Sequence, residues 1–136
     1  MTELLFGMAT LNFDWDDVSS DDVIVIKALR LLDSAFGSGR VWYRLSSSGT
    51  GLHVMVAELV PVDDAYDLRL VPVDFDEQLV LAWRQKLMDD PYGLECDGRF
   101  RADRERLSHG FRIGRIFGTK NLATSGRWNC FVEPRE

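Results

Sequence analysis

A chain of 136 residues with 46% hydrophobic and 28% charged residues is sized for a single domain, residues 1–136, built as two packed layers around one core. No window approaches the roughly 18 consecutive apolar residues of a membrane helix, and the opening MTELLFGMATLNFDWDD carries acid where a secretory signal carries lysine or arginine, so a cytoplasmic protein without membrane contact is expected. A formal net charge of −6 excludes coating nucleic acid through bulk charge, and Cys96 and Cys130 alone are too few for a disulfide framework or an ordinary four-ligand zinc site.

In chain order, LNFDWD comes first: Leu11, Phe13 and Trp15 alternate with Asn12, Asp14 and Asp16. This is the period-2 pattern of a strand with one buried face and one lined with carboxylates. SSDD then offers Ser19 or Ser20 as the N-cap of a helix over VIVIKALRLLDSAF, with Val23, Ile26, Ala28, Leu29 and Leu32 inward and the GSG at 37–39 as its stop. RVWYRLS and GLHVMVAEL read as two strands joined by a Ser/Gly turn. On the second of them Leu52, Val54 and Val56 share one face, and His53 and Met55 the other.

The stretch from Pro61 to Pro72 reads as a loop, and DEQLVLAWRQKLMDD as a second helix ended by Pro91. GLEC reads as a short strand, 98–109 as a basic turn or helix, FRIGRIF as a strand and RWNCFVE as a closing strand. Residues 99–127 hold eight basic side chains against two acidic ones, a local +6, so the remainder carries −12. An acidic body with one basic segment suits an enzyme that gathers metal ions at one place and a polyanion at another; a solvated arginine-rich helix has the same composition.

The order β-α-β-β-α-β with a C-terminal hairpin predicts an α+β fold of the split βαβ, RRM-like kind, an antiparallel sheet with helices on one face and an open catalytic face. If the apolar residues meet the helices, Asp14, Asp16 and His53 share the open face. Two carboxylates at i and i+2 on a strand project in parallel about 6 to 7 Å apart, close enough to share a pair of divalent cations. Magnesium or manganese suits oxygen ligands and substrate phosphates alike. A solvated acidic strand end has the same pattern. SSGTGLH likewise describes either a hairpin turn with an incidental histidine or a turn whose glycine N–H groups and serine hydroxyls cradle a triphosphate, with His53 as a further donor.

Taken together, FDWD, SSGTGLHVMV, ECD and RIFGTKN resemble the archaeo-eukaryotic primase (primase-polymerase) superfamily, in the same order and across residues 8 to 127. The resemblance implies a minimal catalytic domain that carries out template-directed nucleotidyl transfer, a DNA primase or polymerase acting on nucleoside triphosphates and a single-stranded DNA or RNA template, with a helicase or other replication protein as a partner. It implies that Asp14, Asp16 and Asp97 bind Mg2+ or Mn2+, with Asp74 and Asp103 as substitutes for the third acid. It assigns Ser48, Gly49, His53, Arg115, Thr119, Lys120 and Asn121 to nucleotide binding. Phe117 stands where the family has proline, and Lys120 precedes Asn121 where the family places lysine after it.

The alternative is a noncatalytic RRM-like module that binds single-stranded nucleic acid, or an accessory replication protein, using Trp42 and Phe111 as stacking surfaces. A replication-initiator nuclease needs two histidines flanking one hydrophobic residue; here LHVMV has Met55 at the second place.

Overall fold

The computed structural model describes residues 9–46, 49–61, 68–110 and 127–132. Its elements in chain order are β1 (Asn12–Asp16), α1 (Val23–Phe36), β2 (Val41–Leu45), β3 (Gly51–Pro61), β4 (Leu68–Pro72), α2 (Glu77–Met88), α3 (Asp97–Ser108) and β5 (Asn129–Cys130). The strands form one five-stranded sheet in the order β1-β3-β2-β5, with β4 pairing the far half of β3. Both β1 and β2 run antiparallel to the β3 between them, so they are parallel to each other and α1 is the crossover of a split βαβ unit. The expected α+β class is the one the chain adopts.

The alternation read in β1 holds. Leu11, Phe13 and Trp15 are fully buried and pack with Leu52, Val54 and Val56 of β3 against α1 and α2. Each fully buried side chain of this size contributes about 1.5–3 kcal/mol, which fixes the register, because a slip of one residue would turn the whole set to the opposite face. In α1 the inward stripe is Val25, Ala28, Leu29 and Leu32, spaced i, i+3, i+4, i+7. Val23 is instead 83% exposed and Ile26 only half-buried. The N-cap position is Asp22 and not Ser19 or Ser20, and the Asp22 carboxylate makes no bond to the helix's N–H groups but accepts from the Ser19 N–H. Gly37, at φ 100, closes the helix by donating to the Asp33 carbonyl.

Three other expectations change. The stretch before Pro72 contains β4, which pairs with residues 57–61 of β3; a short strand bounded by proline carries little sequence signal. GLEC is not a strand: the Leu94 and Glu95 N–H groups both donate to the Leu87 carbonyl, so the segment closes the end of α2 and leads directly into α3. The basic stretch is the helix α3, with Asp103 its one fully buried residue among those described. FRIGRIF lies outside the described residues, and the closing strand is reduced to Asn129–Cys130. After β5, the Phe131 N–H donates to the Val41 carbonyl and its ring enters the core. Among the described residues no helix is long and apolar enough to cross a membrane.

Candidate functional site

On the sheet face opposite α1, one row of side chains crosses the strands. Asp14 of β1 stands opposite His53 of β3, and His53 stands opposite Arg44 of β2. The pairing of β5 with β2 brings Trp128 to the next place, where its indole lies under the Arg44 guanidinium at 4.4 Å. Asp16 follows two residues along β1, beside Gly51. Asp14, Asp16 and His53 therefore do share a face. The openness of that face is graded: Asp16 is exposed and the Asp14 side chain is 36% exposed, while His53 and Arg44 are buried.

The Arg44 Nε–H donates to His53 Nδ1 at 3.1 Å, and His53 Nε2 lies 3.8 Å from Asp14 Oδ1. Burial pushes the His53 pKa below its ordinary value, and the Arg44 and Arg99 charges push the same way against the pull of Asp14. Accepting from a guanidinium N–H requires a lone pair on Nδ1, so the geometry is that of the neutral imidazole, which burial also favours.

From the other side, Arg99 of α3 reaches Asp14. Its Nη1 donates to the Asp14 carbonyl at 3.0 Å, and Nη2 lies 3.8 Å from the Asp14 carboxylate. Arg99 Nη1 also stands 3.8 Å from the buried Oε1 of Glu95. Behind it lies a buried ionic group: Arg84 of α2 bonds Glu95 at 2.9 Å and Asp103 at 2.6 Å. Burial raises the Glu95 pKa, with Arg84 and Arg99 opposing. A cleft of about 390 Å³ opens here, lined by Asn12, Asp14, Arg84, Cys96, Arg99 and Arg106.

The other residues singled out from the sequence are distributed differently. Asp97, read as the third metal ligand, sits in the first turn of α3 with its carboxylate paired to Arg101 at 2.8 Å; the short strand expected just before it does not form. The substitutes are engaged elsewhere, Asp103 under Arg84 and Asp74 accepting from the Ala9 N–H. Among the described residues no group of three or more His, Cys, Asp or Glu side chains is placed to hold a metal. Ser48, Arg115, Thr119, Lys120 and Asn121 lie outside the described residues, as does Phe111.

The Ser/Gly stretch is a hairpin turn by construction. Ser46 N–H donates to the Gly51 carbonyl and Gly49, at φ 77, donates back to Ser46. Gly51 is required by packing, because a Cβ there would collide with the Trp15 carbonyl of β1. Both glycines thus have structural work, and the turn holds the start of β3 against β1 next to Asp16.

Arg44, Arg84, Arg99 and Trp128 were not read from the sequence as site residues. Two signals were there. Closing the hairpin at Ser46 and Gly51 sets Arg44 opposite His53, and Arg84 occupies an apolar stripe position between Val80 and Leu87. For Trp128, 75 residues beyond His53, no local signal exists. Asp14 and Asp16 present only acceptor oxygens, the donor set that a hard divalent cation takes, and such an ion is held by as few as one or two carboxylates when water and substrate phosphates complete its shell. Comparison with protein-family models, with curated proteins and with solved structures finds no match to this chain.

Proposed function

We propose that this chain is a template-directed nucleotidyltransferase of the primase-polymerase kind, a cytoplasmic replication protein that takes nucleoside triphosphates and a single-stranded DNA or RNA template and works with a helicase or another replication protein. The observation that carries the reading is the register that sets His53 across from Asp14, with Asp16 two residues along the same face. It puts two carboxylates and one imidazole at one end of the sheet, with a cleft alongside.

Asp14 and Asp16 would hold Mg2+ or Mn2+, which when bound would supply charge neutralisation on the triphosphate and acidification of the attacking hydroxyl. His53 donates a hydrogen bond to a phosphate oxygen. By resemblance, Ser48, Gly49, Arg115, Thr119, Lys120 and Asn121 complete the nucleotide's surroundings. The 3′-hydroxyl oxygen of the growing strand bonds to the α-phosphorus, and the bond from that phosphorus to the oxygen bridging to the β-phosphate breaks. Pyrophosphate leaves with the electron pair, and the hydroxyl proton passes to solvent.

The test is incubation with labelled triphosphates, a single-stranded template and Mn2+, with product length read on a gel. Asp14→Ala and Asp16→Ala, both altering side chains outside the apolar core, are expected to reduce incorporation to background while leaving the far-ultraviolet circular dichroism unchanged. Undiminished extension by either variant rejects the reading. A second reading, a noncatalytic single-strand binder, is favoured by one observation: the acid expected third at the metal site is paired with Arg101 on α3. Single-strand binding that survives chelator, with no metal-dependent affinity for triphosphates, selects it.

A further inference from the structure

The row that crosses the sheet at His53 extends further than the site needs for binding, and its far end has a chemical consequence. A neutral imidazole carries one N–H and one lone pair, and which nitrogen keeps the proton is set by what the other one meets. Here Nδ1 meets Arg44 Nε at 3.1 Å. A guanidinium N–H can only donate, so Nδ1 must accept. The proton is left on Nε2, the nitrogen on the Asp14 side.

Arg44 is well fixed for this task. It is 3% exposed, its backbone is paired on one side with β3 through His53, and its guanidinium lies over the Trp128 ring at 4.4 Å. A cation over an indole face is attracted by the ring quadrupole, more so when water is excluded. The pairing of Trp42 with Cys130 and of Tyr43 with Asn129 is what brings Trp128 to Arg44.

We infer that Arg44, held in place by Trp128, is the positioning residue that fixes His53 as the Nε2–H tautomer, so that His53 acts only as a hydrogen-bond donor toward an anionic oxygen and never as a base. The consequence for the site deepens the nucleotidyl-transfer reading and rests on it: the ligand atom met by His53 is an acceptor such as a phosphate oxygen, and activation of the attacking hydroxyl falls to other groups. Arg44 touches no substrate in this scheme; it acts through His53.

The experiment uses the full chain labelled with 15N-histidine, His53 being assigned by comparison with a His109→Gln variant. Nitrogen chemical shifts distinguish a protonated from an unprotonated ring nitrogen. The wild type is expected to show His53 unprotonated at Nδ1 and protonated at Nε2. Arg44→Met, which keeps the apolar stem and removes the donor, is expected to give a mixture of both tautomers, and Arg44→Lys, another donor-only group, to restore the single one. In the same samples the affinity for a nucleoside triphosphate with Mn2+ is expected to fall in Arg44→Met by the inverse of the Nε2–H fraction that the nitrogen shifts report, about 2-fold for an even mixture.

Should Arg44→Met fail to fold, Trp128→Ala in the folded protein carries the test, with partial mixing of tautomers expected and Trp128→Phe retaining the wild-type pattern. A wild-type His53 protonated at Nδ1, or a single Nε2–H tautomer unchanged in Arg44→Met and in Trp128→Ala, overturns the inference. If the tautomers respond as expected while the wild type shows no metal-dependent triphosphate binding, the positioning role stands and the nucleotidyltransferase reading falls.

Discussion

Replacing Arg84 by methionine tests the charge group behind the cleft. The Arg84 side chain is 2% exposed and bridges two carboxylates, Glu95 at 0% and Asp103 at 3%. Methionine keeps the volume of the stem and removes the fork, leaving both acids buried without their shared partner. Removing one partner of a buried ion pair costs about 3–5 kcal/mol, a large share of the roughly 5–15 kcal/mol by which a domain is stable. With a urea m-value of about 1–3 kcal/mol per molar, the denaturation midpoint at pH 7 should fall by at least about 1 M.

Burial already raises the Glu95 pKa above 4.5, and Arg84 is the first of the charges that oppose this rise. Without Arg84 the folded-state value climbs further, so the folded variant holds a proton that the unfolded chain has released over a wider range above pH 4.5. The gap between variant and wild type should therefore narrow as the pH is lowered from 7 to 5, followed by tryptophan fluorescence in urea at each pH. The triple variant Arg84→Met, Glu95→Leu, Asp103→Leu should recover most of the loss, because a buried ionic group replaced as a whole by apolar side chains is often neutral or stabilising. A midpoint unchanged in Arg84→Met at pH 7 refutes the reasoning.

Other outcomes follow from the same geometry. Gly51→Ala drives a Cβ into the Trp15 carbonyl and must loosen the β1–β3 pairing, a loss of about 1–3 kcal/mol or more seen as a lowered thermal midpoint. Asp97→Ala removes an exposed i,i+4 pair with Arg101, so stability should change by no more than about 0.5 kcal/mol and Mn2+ affinity by calorimetry should not change. His53 titrates below 6.5 in the folded chain, so just under that pH the unfolded chain binds more protons and acid lowers stability. In His53→Gln that part of the slope between pH 7 and 5.5 should disappear; a slope identical to the wild type means His53 is not held neutral.

The elements with strong local patterns were legible in the sequence. The helix over Val23–Phe36 and the hairpin joining β2 to β3 follow from periodicity, a glycine stop and turn composition. That Asp14, Asp16 and His53 share one sheet face was also legible, since strand alternation places Asp14 and Asp16 opposite the buried Phe13 and Trp15. Asp97 was misplaced because GLEC has strand-like composition while its N–H groups are taken by the end of α2, a competition decided by the helix's unsatisfied carbonyl. β4 was missed because its stability comes from pairing with β3 and not from its own residues.

What the sequence determined by itself was which side chains alternate, where helices stop and which chemistry is present: carboxylates on one strand, a histidine on another, arginines later. Only the tertiary structure decided who meets whom. Arg99 reaches Asp14 from 85 residues away, Trp128 underlies Arg44 from the end of the chain, and Arg84 gathers Glu95 and Asp103 beneath the cleft. The physical reason is range. Periodicity and capping act within one or two turns of chain, whereas the energy that pairs buried charges and stacks a cation on a ring depends on distance and exclusion of water, which exist only once the layers have packed.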